Sequence, residues 1–104
     1  MGKNKTIHEL TTLIAISLRH KIGSLVNKNE IYAQRYAKDS EILLREARKV
    51  SVKENWNKED KLRIKEESRI KLRKELEERS FLDNSKFDLI DRELDRVLGD
   101  LGLG

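Results

Sequence analysis

The chain has no cysteine and no proline among its 104 residues. The first absence excludes disulfides, thiolate metal sites and thiol catalysis, and it fits a reducing cytoplasmic setting. The second removes the strongest helix breaker. Because glycine is also missing between Glu30 and Arg79, nothing in that stretch forces a helix to stop. Aromatic residues are few, two Phe, two Tyr and one Trp, so little is available for stacking on bases. The apolar surface to be buried comes mainly from Leu and Ile. No run reaches the roughly 18 apolar residues of a membrane span. The longest uncharged stretch, Leu10 to Leu18, lacks a small-residue cleavage site and is followed by Arg19, His20 and Lys21. It reads as an internal amphipathic helix rather than a leader. Met1-Gly2-Lys3-Asn4-Lys5-Thr6 fits the loose N-myristoylation pattern, which is too short to outweigh an ordinary N-terminus.

Charge is what the chain has in abundance. Charged residues make up 40% of it against 37% hydrophobic, with a net charge of +4. Residues 1–79 carry 20 basic and 13 acidic side chains, a net of +7, and residues 80–104 carry 3 and 6, a net of −3. A basic body with an acidic final segment favours attraction between the two, within one chain or between chains. The length suits one domain with a small core.

Four helices are expected. Thr6-Ile7-His8-Glu9 fits a capping box, and Ile7, Leu10, Ile14, Leu18, Ile22 and Leu25 recur at three- and four-residue steps behind it. Residues 1–5 are expected to be flexible. Asn27-Lys28-Asn29 reads as a short connection, so residues 6–50 form an antiparallel hairpin whose second arm carries Tyr32, Tyr36, Leu43, Ala47 and Val50 on one face. Asn57, with Glu59 and Asp60 behind it, is a plausible cap for a third helix over 57–79. One continuous helix across 30–79 is the alternative. Ser80 to Asn84 reads as a turn, and Ser85 to Asp88 as a weaker capping pattern. Residues 84–98 then form an acidic amphipathic helix, with Phe87, Ile90, Leu94, Val97 and Leu101 at a/d spacing. Residues 99–104, with Gly99, Gly102 and Gly104, are expected to fray.

The third helix carries two charged rows. Glu59, Arg63, Glu67, Lys71, Glu75 and Arg79 alternate in sign at four-residue spacing, which gives consecutive neighbouring pairs worth roughly 0.2–0.5 kcal/mol each on a solvated face. Lys61, Lys65, Arg69 and Arg73 form a second row that is wholly basic and borders the apolar positions Leu62, Leu72 and Leu76. That row needs a counter-charge. Asp91 and Asp95, four apart on the last helix, can supply it if the two helices pack together. A phosphate backbone is the other candidate, with Lys61, Lys65, Arg69 and Arg73 as a sequence-independent contact strip. Trp56, between Lys53 and Lys58, reads as a packing anchor ahead of a stacking platform.

Signals for catalysis are weak. His8-Glu9-Leu10-Thr11-Thr12 begins like H-E-x-x-H but has Thr12 where the second histidine is needed, so the paired zinc ligands are missing. His20 lies between two cations, and neither histidine has a nucleophile or carboxylate at a diagnostic spacing. The C-terminal glycines follow a helix and open none, unlike a phosphate loop. No metal or cofactor is expected. The sequence therefore predicts an all-α protein, a hairpin plus two helices forming a small bundle completed by oligomerisation. Its expected role is non-catalytic: protein–protein interaction or scaffolding by a self-associating cytoplasmic module. The expected contact residues are Leu62, Leu72, Leu76, Phe87, Ile90, Leu94, Val97 and Leu101. A small basic nucleic-acid-binding protein is the alternative.

Overall fold

The computed structural model describes residues 2–26, 29–78 and 87–104. Among them are four helices and no strand: α1 (Gly2–Val26), α2 (Glu30–Ser51), α3 (Lys58–Glu78) and α4 (Phe87–Asp100). The predicted turn at 80–84 and the capping pattern at Ser85 and Lys86 lie outside the described residues, as does the side chain of Phe87.

α1 is the hub. Ile7, Leu10, Ile14, Leu18 and Ile22 are fully buried along it, and α2, α3 and α4 all pack against it, whereas among the described helices α2 packs on α1 alone. The core is completed by Ile64, Leu72 and Leu76 of α3 and by Ile90, Leu94, Val97 and Leu98 of α4. From α2 it receives Ala47 and Val50, with Leu44 packed against it partly buried. The other buried residues of α2 are Ser40 and Ser51. Small side chains at a contact let helix axes come close. Ser17 of α1 accordingly donates its hydroxyl to the Ser40 carbonyl at 2.9 Å.

Local signals set most helix ends. Asn29 Oδ1 accepts from the backbone N–H of Ile31 at 3.0 Å, capping α2. Asn57 Oδ1 accepts from Asp60 N at 2.8 Å while Asp60 Oδ2 accepts from Asn57 N at 3.1 Å. This reciprocal box opens α3 and separates it from α2. Trp56 packs against the core beside that junction, and its Nε1 donates to the Ser51 carbonyl at 2.7 Å.

Two expectations about the ends are corrected. α1 starts at Gly2, so residues 2–5 are helical and the Thr6–Glu9 box does not mark the start. Tertiary contacts hold the first turn: Lys3 Nζ lies 2.6 Å from Asp60 Oδ2, and Arg63 Nη1 donates to Asn4 Oδ1 at 2.7 Å. The C-terminus folds back instead of fraying. Leu103 N bonds the Leu98 carbonyl at 2.8 Å and Gly102 N the Gly99 carbonyl at 3.1 Å. Gly102 has φ +73°, and Leu103 is buried. This is a Schellman cap, in which the left-handed glycine reverses the chain and an apolar residue closes over the helix end.

Candidate functional site

The basic row of α3 meets the acidic helix of the same chain. Lys65 Nζ is 3.0 Å from Asp95 Oδ1, and Arg69 Nε is 3.1 Å from Asp91 Oδ1. As the residue number rises along α3 it falls along α4, so the two helices run in opposite directions. Beneath the pairs, Leu72, Leu76, Ile90, Leu94 and Val97 are buried, and Leu101 packs against them partly exposed. The ends of the row differ. Arg73 pairs with Glu77 at 3.3 Å, and Lys61 lines a groove of about 450 Å³ with Leu62, Lys65, Asp95, Leu98 and Leu103.

Leu62 does not join the core and stays 58% exposed. The buried face of α3 is Ile64, Ser68, Leu72 and Leu76. These lie at four-residue steps. Leu62 falls about 100° from the middle of that face, at 100° per residue. Ser68 in this face is fully buried and its hydroxyl has no hydrogen-bond partner among the described residues.

The alternating row is not one solvated face either. Arg63 and Glu67 close at 2.8 Å on the surface, but Lys71 turns toward α1. Its Nζ donates to Thr11 Oγ1 at 2.6 Å, Thr12 Oγ1 at 3.0 Å and the His8 carbonyl at 3.1 Å. Burial lowers the Lys71 ammonium below its ordinary pKa, and Glu67 opposes that shift. One turn on, Glu75 accepts from Arg19 Nη1 at 3.0 Å. The residue partners 3–60, 4–63, 8–71 and 19–75 rise together, so α1 and α3 run in the same direction. These residues form a structural polar seam.

His20 is part of the contact between α1 and α2. Its Nδ1 lies 2.8 Å from the Ile16 carbonyl, and its ring meets Tyr36 edge-on at 5.8 Å. His8 is separate from it, and no group of three metal-ligating side chains occurs among the described residues. No described helix is long and apolar enough to cross a membrane.

Two outward faces carry uncommitted apolar side chains. On α3, Ile70 is 65% exposed and sits in the exposed series Glu59, Arg63, Glu66, Ile70, Arg73 and Glu77. On α2, Ile31 and Ile42 are exposed in a series that continues to Val52 and whose remaining members are cations. Sequence reasoning passed over both. The available signal was alternating four- and three-residue spacing on the faces left over once the buried positions are removed.

Comparison with protein-family models, with curated proteins and with solved structures finds no match to this chain.

Proposed function

We propose that the chain is a non-catalytic helical protein–protein interaction module that self-associates through the outward face of α3. The observation that carries this reading is Ile70, exposed at the centre of a charge pattern complementary to itself. If a second copy lies against α3 end for end with Ile70 on Ile70, Arg63 faces Glu77 of the partner subunit and Glu66 faces Lys74 of the partner subunit. A two-fold interface is of this kind, with one patch serving both sides. The seam between α3 and α4 is already filled within one chain, so self-association has the outer residues to work with. In this reading α1 and α2 are the arms of an antiparallel hairpin, supported by Ser17–Ser40 and by His20 beside Tyr36 and Asp39, which ascend along one helix and descend along the other. A cysteine-free chain suits a reducing cytoplasm.

The nucleic-acid alternative loses support at Lys65 and Arg69, because Asp95 and Asp91 occupy the middle of the proposed phosphate strip. Sedimentation equilibrium across micromolar concentrations tests the proposal. The expected result is a dimer that Ile70→Asp converts to a folded monomer. A wild-type chain that stays monomeric throughout, or a complex from native cells that nuclease dissolves, would overturn it.

A further inference from the structure

α2 presents a second surface, independent of the α3 face. Ile31, Arg35, Lys38, Ile42, Arg45, Lys49 and Val52 follow one another at steps of four and three residues, and all seven are exposed. That is the spacing of a helix-packing seam. Ile31 is 69% exposed, Ile42 47% and Val52 76%. Among the described residues Arg35, Lys38 and Arg45 make no ion pair, while Lys49 reaches Glu46 at 3.3 Å. Arg48, also exposed and without an ion pair among the described residues, flanks the seam. The opposite side of α2 packs on α1, so the seam faces outward.

We infer that this seam docks an acidic amphipathic helix of a partner protein, with apolar side chains seated on Ile31, Ile42 and Val52 and carboxylates meeting Arg35, Lys38 and Arg45. Charge complementarity selects the occupant. A second copy laid end for end with Ile42 on Ile42 would bring Glu46 to Lys38 but set Arg35 against Lys49 at both ends, so it answers the cations less fully than an acidic helix does. A phosphate backbone would neutralise the cations but leave the exposed isoleucines and valine in water. An anionic bilayer suits a helix with an unbroken apolar face and cations on its borders, and here Lys38 and Lys49 lie on the midline with the isoleucines. The chain supplies a precedent in α4, an acidic helix that meets cations of α3 through carboxylates four residues apart over an apolar contact.

The test is fluorescence anisotropy of the full chain with a synthetic helix as long as α2, bearing Leu and Glu alternately along a four-three seam, beside the same peptide with Lys for Glu. The wild type is expected to bind the Glu peptide and not the Lys peptide. Lys38→Glu with Arg45→Glu, and separately Ile42→Asp, should each weaken binding at least about tenfold. All these side chains are exposed, and circular dichroism verifies the fold; Lys38→Gln with Arg45→Gln is the milder second variant, expected to weaken binding in the same direction. Equal binding of the two peptides, or loss in Ile42→Asp alone, overturns the inference. So does tighter binding of duplex DNA, or of vesicles of phosphatidylserine and phosphatidylcholine, that depends on the cations but ignores Ile42. The Ile70→Asp chain should bind the Glu peptide as the wild type does, so failure of self-association and failure of this site are separately visible.

Discussion

Arg69 Nε lies 3.1 Å from Asp91 Oδ1, joining the basic row of α3 to the acidic helix that follows it. One turn earlier, Lys65 meets Asp95 in the same way. The two ion pairs turn a row that looks made for an external anion into an internal contact. Among the described residues, Arg35, Lys38 and Arg45 on the outer face of α2 have no such partner.

The buried hydroxyl of Ser68, without a hydrogen-bond partner among the described residues, gives the first prediction. A buried hydroxyl without a partner is destabilising by about 1–3 kcal/mol, and alanine is the better helix former. Ser68→Ala should raise stability by roughly 1 kcal/mol. Urea unfolding checks this through a higher midpoint with unchanged slope. An unchanged or lower midpoint would mean that the hydroxyl has a partner in solution.

Gly102 is the second case. Its φ of +73° lies where a side chain carries a penalty of roughly 1–2 kcal/mol, although the space around an added Cβ is open. Gly102→Ala should therefore loosen the C-terminal cap locally. Hydrogen exchange at the Leu103 amide, which bonds Leu98, should speed up about tenfold for a loss of about 1.4 kcal/mol. Unaltered exchange would count against the cap.

Asp60 predicts a pH dependence. Hydrogen bonding from Lys3 and from the Asn57 backbone holds its carboxyl below the usual carboxylate range. A depressed carboxylate pKa stabilises the fold above the unfolded value, near 3.8, and that stability is lost as pH falls through the lower folded value. Asp60→Asn should be less stable than wild type at neutral pH, and the gap should close below pH 3.8. Thermal melts over a pH series measure the gap; a gap that stays constant would contradict the assignment.

How far the sequence carried can be judged at particular residues. Asn57 announced the start of α3 because a cap is a local arrangement, readable from neighbours in the chain. The start of α1 was not, since Lys3 and Asn4 are held by Asp60 and Arg63, nearly sixty residues away. The pairing of Lys65 and Arg69 with Asp95 and Asp91 was legible because both rows recur at four residues and have opposite signs. Leu62 stays outside the core because Ile64 defines the buried face once neighbouring helices are in position. Lys71 deceived for a related reason: a regular charge ladder winds slowly around its helix, so Lys71 and Glu75 turn toward α1 while Arg63 and Glu67 pair with each other nearer the surface, and Arg79 lies outside the described residues. The exposed seam of α2 could be picked out only after the small residues Ser40 and Ala47 were known to face α1.

The central claim is that the basic row of α3 has its counter-charge on α4 of the same chain. Ion pairs this exposed contribute about 0.2–1 kcal/mol each, so a four-residue charge exchange, followed by thermal unfolding, is the most direct measurement. Asp91→Lys with Asp95→Lys should lower stability by roughly 1–2 kcal/mol, several degrees in Tm. Lys65→Glu with Arg69→Glu should do likewise. The chain carrying all four changes should recover more than half of the combined loss. If the two losses simply add, the row and the acidic helix are not paired, and the claim fails.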